Sequence, residues 1–213
     1  TEIYTLSLHD ALPIYELFKA ETPIQEVVDY PGFEGYGGLI FPTNKGYYGG
    51  NTLGQLSLTW YSDLRPEKSI EICNYLKDRA DSDETVFIDI YTDEEKTVDP
   101  AKKDTGLFFF EGDEGAPTAI VNAGGGFVFV GAMHDSFPHA LELSKRGYNA
   151  FALIYRPGAQ TACEDLARAI AYLHDHADEL GINMDGYSLW GGSAGARMAA
   201  WLGTKFVDRK SVV

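Results

Sequence analysis

Ahead of Pro66 the chain is rich in Gly and aromatic residues but shows little hydrophobic period. From Pro66 the apolar positions become periodic, and the period changes from segment to segment. Ile70, Cys73 and Leu76 recur at helical spacing behind a proline in the first turn, which predicts a helix over 66–80. Val86, Ile88 and Ile90 alternate with Phe87, Asp89 and Tyr91, the period-two pattern of a strand over 85–91. A polar turn is expected over 93–105. The apolar run Leu107 to Phe110 after it would pair antiparallel with the preceding strand at a sheet edge.

Beyond Pro117 the strands read as continuously apolar, as strands buried on both faces do. The first spans 118–121, and a helix follows with Phe137, Ala140, Leu141 and Ser144 on one face and Gly147 at its end. A second buried strand is expected over 148–155. Pro157-Gly158 then turns the chain, and Thr161 with Glu164 reads as a capping box. Leu166, Ala169, Ile170, Leu173, Ala177 and Leu180 line the helix it would start, and Gly181 stops it. A third buried strand over 187–190 and a third helix over 194–206 complete the pattern. Strand–helix units in series require right-handed parallel crossovers. The expected fold is therefore α/β, a mostly parallel sheet flanked by helices.

Composition narrows the partners. At 45% hydrophobic and 23% charged residues there is enough apolar material for a packed core. A formal net charge of −15 argues against nucleic acid, whose phosphates need a basic surface. The apolar run 119–133 is too short and Gly-rich to span a membrane. Cys73 and Cys163 do not make a disulfide framework, and no cofactor motif or metal-ligand spacing is found. Both ends read as translated sequencing adapter: residues 1–14 match it without a mismatch, and 208–213 match its reverse strand in frame. They are set aside. This leaves 15–80 as an N-terminal extension placed to cover a pocket, and 81–207 as the core, expected to be cut short at its C-terminal side.

Leu189-Trp190-Gly191-Gly192-Ser193-Ala194-Gly195 holds a G-x-S-x-G pattern between an expected strand and an expected helix. A strand-to-helix elbow lifts a serine hydroxyl clear of the sheet, and small residues two places either side allow the turn. The amide of Ala194, at the start of a helix, would then face a developing oxyanion. Two strands earlier, Gly124, Gly125 and Gly126 follow another apolar run. Glycines there let backbone amides face a substrate oxygen. A nucleotide-binding turn fails on spacing, because Phe129 stands where a third glycine would be needed.

These two motifs, in this order, resemble the esterase/lipase branch of the α/β-hydrolases, acetyl-esterase-like enzymes among them, over about 85–207. Ala123 stands where many members have His, and Ala196 where many have a further Gly. The resemblance implies Ser193 as nucleophile and the amides of Gly125, Gly126 and Ala194 as oxyanion donors. It implies a small-molecule ester as substrate, an acyl-enzyme, and no cofactor or metal. A peptidase of the same fold, or a catalytically dead binding relative, remains the alternative. The triad acid and His of such enzymes come after the serine in chain order, and this chain carries too little beyond Ser193 to supply them. Turnover is therefore not expected of it, and an exposed apolar sheet edge prone to association is. His134 reads as a polar loop residue, and His174 and His176 as a solvated helix surface rather than metal ligands. The segment 35–61 resembles extensions lying over such active sites, so Tyr47, Tyr48, Trp60 and Tyr61 would wall a pocket or simply pack on the sheet.

Overall fold

The computed structural model describes residues 16–62 and 64–210, the last six as helix backbone only. Residues 1–14 and 211–213, read above as adapter, lie outside the described residues, and 208–210 continue the last helix.

In chain order the elements are α1 (Ile24–Val28), β1 (Tyr48–Gly49), β2 (Ser57–Leu58), α2 (Pro66–Asp81), β3 (Phe87–Ile88), α3 (Asp93–Val98), β4 (Gly106–Phe110), β5 (Pro117–Asn122), α4 (Ser136–Ser144), β6 (Asn149–Ile154), α5 (Ala159–Asp175), β7 (Asn183–Gly191) and α6 (Ser193–Lys210). The main sheet has the order β3-β4-β6-β5-β7. β4 is antiparallel to both neighbours, and β5 is parallel to β6 and β7, so four of the five strands point one way. This is the α/β arrangement that the pattern of apolar runs predicts, with the antiparallel pair at one edge.

Burial follows strand position. β4 and β6 are buried throughout and β5 everywhere after Pro117, which is why those segments are unbroken apolar runs. From β5 the chain crosses to β6 on one side and from β6 to β7 on the other. Two right-handed crossovers in opposite directions require their helices to lie on opposite faces. Accordingly α4 packs beside α2, while α5 packs beside α6. Residues 16–62 join the same core through Phe18, Val27, Phe33, Ile40 and Leu53. Aromatic pairs such as Tyr30 with Phe33 and Tyr36 with Phe87 hold that segment together in place of long regular elements.

Four expectations need correction. The polar turn over 93–105 contains α3 and a 3-10 helix, Pro100–Asp104, because Thr92 and Glu95 close a reciprocal capping box. No such box forms at Thr161 and Glu164: the Pro157-Gly158 turn starts α5 earlier, at Ala159, and the Thr161 hydroxyl donates back to the Pro157 and Gly158 carbonyls. α5 also ends at Asp175, so Ala177 and Leu180 pack on the core from the turns after it. The third strand is longer than expected and largely exposed, with Met184 its one buried residue, since β7 has a partner on one side alone. Trp190 on it is 45% exposed, and Trp201 on the adjoining helix α6 is 61% exposed.

The loops above the sheet hang on one buried cluster. Asp165, fully buried on α5, accepts from the backbone N–H and guanidinium of Arg156 at 2.7 Å each and from the Tyr91 hydroxyl at 2.6 Å. Arg156 Nη1 also donates to Asp99 at 2.5 Å, tying the α3 segment to the end of β6. Removing one partner leaves a charge buried without compensation. Asp165→Ala should lower unfolding free energy by about 3–5 kcal/mol in a denaturant titration.

Candidate active site

Register brings the two glycine motifs side by side. In the β5–β7 pair Asn122 lies opposite Gly191, so the chain leaves adjacent strands at the same level, toward Gly124 on one side and Ser193 on the other. This is the point where chain order reverses across the sheet, with β6 and β7 on opposite sides of β5. In open α/β sheets the crevice outside the strand ends at such a point is where ligands bind.

The elbow is made by backbone contact. Gly192 N–H donates to the Asn122 carbonyl at 3.2 Å, and the Asn122 side-chain amide donates to Trp190 O at 2.9 Å. A Cβ at Gly195 would overlap Asn122 O, and one at Gly191 would overlap the Gly195 backbone. Ser193 sits at φ +47, in the left-handed region that a β-carbon makes costly, and its residue is exposed. Ala194, buried at 3% exposure, follows it in the first turn of α6. Among the described residues no histidine or carboxylate is hydrogen-bonded to the Ser193 hydroxyl.

The loop after β5 is wound tightly: Gly125, Gly126 and Phe127 all have positive φ, at +140, +63 and +62. The Val128 and Phe129 amides donate to Gly125 O, and Gly131 N–H donates to Gly124 O at 2.9 Å. Among the described residues the Gly125 and Gly126 amides donate to no protein acceptor. The Gly124 amide is occupied, donating to Asp135 Oδ2 at 2.7 Å.

Asp135 is the residue that sequence reasoning missed. It precedes α4 where an aspartate ordinarily caps the helix, yet it makes no cap bond. Its Oδ2 instead accepts from Gly124 N–H and, at 3.0 Å, from the Tyr61 hydroxyl. A Cβ on Gly192 would come 2.5 Å from the same oxygen, so the carboxylate wedges between loop and elbow. Burial, with the Asp135 charge beside it, holds the Tyr61 phenol well above its ordinary pKa and therefore protonated as a donor. The neighbouring Tyr155 hydroxyl donates to Ala123 O at 2.7 Å, so both tyrosines brace this loop. An Asp two residues past Met133 and next to His134 is the one sequence signal that would have marked the position.

His134 itself turns inward. Its Nε2 is buried without a partner, and burial lowers its pKa from 6.5 to about 4. His174 and His176 lie against Tyr187 and Tyr172, and no group of three metal-ligating side chains occurs among the described residues. No helix among the described residues is long and apolar enough to cross a membrane.

A protein-family model described as BD-FAE matches residues 110–210, just under half of the chain, spanning both glycine motifs. No curated protein matches. Among solved structures, the chain is similar to a thermophilic esterase of the Planctomycetes species Thermogutta terrifontis, at 26% identity over 46% of this chain and 38% of that one, with a TM-score of 0.43. It is also similar to an acetyl ester-xyloside bifunctional hydrolase from Caldicellulosiruptor lactoaceticus, at 26% identity over 56% of this chain and 46% of that one, with a TM-score of 0.49. The chain thus spans less than half the length of either. The strand–elbow–helix over a mostly parallel sheet flanked by helices is an α/β-hydrolase fold.

The buried imidazole sets a pH dependence. Unfolded His134 takes up a proton near pH 6.5, but the folded ring does so only near pH 4. Between those values the unfolded chain binds more protons, so stability falls as pH falls through the window, by about 3 kcal/mol. His134→Phe, which keeps the ring volume and removes the proton site, should flatten the wild-type loss when unfolding is measured from pH 7 to pH 4.

Proposed function

We propose that this chain carries the nucleophile half of a serine carboxylic-ester hydrolase. Ser193 attacks the ester carbonyl, and the amides of Gly125, Gly126 and Ala194 receive the negative charge that develops on its oxygen. The observation that carries this reading is Ser193 held at positive φ above the sheet, beside a loop whose glycine amides have no protein acceptor. Such strain persists in a fold where the surrounding structure enforces it, and it clusters at functional sites. Loss of the alcohol would leave an acyl-enzyme on Ser193 Oγ, which water then resolves. Asp135 acts through the loop rather than on substrate: by taking the Gly124 N–H it aims the next two amides outward. Small acyl or acetylated-carbohydrate esters are the substrates this reading assigns to the exposed Ser193.

A serine hydroxyl needs a base at neutral pH. None is bonded to Ser193 among the described residues, so the reading leaves the acid and histidine of the triad unassigned. The test is direct. The 213-residue chain should hydrolyse p-nitrophenyl acetate no faster than its Ser193→Ala variant. The reading frame extended past Val207 should turn it over, with kcat/KM falling by roughly 10³-fold or more on Ser193→Ala. An extended frame that lacks a downstream Asp and His, and stays inactive, would favour the binding-protein alternative.

A further inference from the structure

Between α5 and α6 lies a groove of about 640 Å³ that the proposed chemistry leaves unused. Its floor carries small side chains one helical turn apart on α5, Ala159, Cys163 and Ala167, a run of about 12 Å. Met198 and Leu202, also one turn apart, face it from α6. Phe127 stands at the Ala159 end, where its carbonyl accepts from Gly158 N–H at 2.8 Å. Burial, with the Glu164 charge beside it, pushes the Cys163 thiol up, so it stays neutral and adds to the apolar lining. The polar lining residues, Gln160, Glu164 and Arg197, are all exposed and so stand at the rim. Two of them are already engaged: Gln160 Nε2 donates to Glu164 Oε1 at 2.9 Å, and the Arg156 guanidinium lies 3.8 Å from the other Glu164 oxygen. The Arg197 guanidinium has no carboxylate or hydrogen-bond partner among the described residues.

We propose that this groove binds a free long-chain monocarboxylate, with the alkyl chain laid along α5 and the carboxylate on Arg197. The ligand is held and not cleaved, so the proposal goes beyond the esterase reading and does not depend on it. The volume is that of an ordinary small-molecule site. A floor without hydrogen-bonding side chains selects the body of the ligand. A polyol or a peptide backbone laid on it gives up water and gains no partner, whereas an alkyl chain has no such bonds to lose. The rim selects the head. In a chain of net charge −15 most cations near the surface are paired, and the one unpaired cation on this groove is a guanidinium, which takes a carboxylate through two parallel bonds. An exposed pair of this kind adds little affinity and mainly fixes which end lies where. Burial of methylenes between α5 and α6 supplies the affinity.

The experiment is a calorimetric titration of laurate, kept below its micelle-forming concentration, into the 213-residue chain at neutral pH. Salt at about 0.15 M screens all but the charges near the groove. Laurate should fill one saturable site, and octanoate, four methylenes shorter, should bind roughly tenfold or more weakly. Ala167→Phe fills the floor from its half-buried position and should abolish binding while melting as the wild type does. Arg197→Glu, at an exposed position, tests the head without touching the core. Wild type should prefer laurate to dodecyltrimethylammonium, and this variant should reverse the order. Ser193→Ala should leave laurate binding unchanged, so a failure of the nucleophile assignment reads differently from a failure here. Absence of saturable laurate binding, undiminished binding in Ala167→Phe, or an unchanged head preference in Arg197→Glu would each overturn the proposal. So would a ligand-free dimer that Ala167→Phe dissociates, which assigns the groove to a second copy of the chain. Co-sedimentation with phosphatidylcholine vesicles that Ala167→Phe abolishes would overturn it as well, by making the occupant a membrane surface.

Discussion

The top of this sheet depends on the approach of two backbones, Gly195 against the Asn122 carbonyl, with no side chain between them. Any β-carbon at 195 would push α6 away from β5, and Ser193 would lose its place above the strands. The same carbonyl also accepts from Gly192 N–H, while the Asn122 side chain reaches Trp190 O on the neighbouring strand. One asparagine thus stitches β5 to β7 at the level where both end. A left-handed serine costs roughly 1–3 kcal/mol, and these bonds to the buried Asn122 help to offset it. The G-x-S-x-G spacing is the sequence trace of that contact.

A second consequence concerns where the loop after β5 can go. Because β5 lies between β6 and β7, its end is flanked by the elbow on one side and by Tyr155, just past β6, on the other. The loop has to climb out between them before the chain reaches α4 at Ser136, and it does so with three successive positive φ values. Backbone that winds this way has used its carbonyls internally, at Gly124 and Gly125, and leaves the Gly125 and Gly126 amides without a protein acceptor among the described residues. The free amides on which the proposed oxyanion role rests follow from topology together with glycine.

Much of this was legible in the sequence, and the limits have physical causes. The central strands could be read because burial on both faces leaves no polar position to break the run. The elbow could be read because its small residues are sterically required. The status of β7 could not, since Tyr187 to Trp190 has the composition of a buried strand and only its place in the sheet makes it an edge. Thr161 and Glu164 have capping-box spacing, but the preceding Pro-Gly turn had already started the helix; Thr92 and Glu95 form the real box inside a segment whose polarity reads as a loop. Residues 16–62 gave no period because aromatic pairs from short 3-10 turns hold them, and such pairs have no fixed spacing. Asp135 was hidden by its neighbourhood: an aspartate in front of a helix has an ordinary explanation, and only coordinates reveal that the cap bond is not made.

That aspartate also poses an electrostatic problem. A carboxylate wedged beside a serine and a loop meant to receive an oxyanion places like charge where new negative charge would form, and in a partly desolvated site this repulsion is poorly screened. The donors around it resolve the conflict. Asp135 Oδ2 takes the Gly124 N–H and the Tyr61 O–H, and burial keeps that phenol protonated, so the oxygen nearest the loop is already saturated by two donors. Its charge is drawn toward Gly124 and Tyr61 and away from the outward-facing amides of Gly125 and Gly126. Tyr61 thereby shields as well as braces, and the Gly125 and Gly126 amides are left without a protein acceptor among the described residues. On the proposed reading the N-terminal segment is therefore part of the site: without the Tyr61 hydroxyl, the Asp135 carboxylate would work against the charge that reading assigns to the loop.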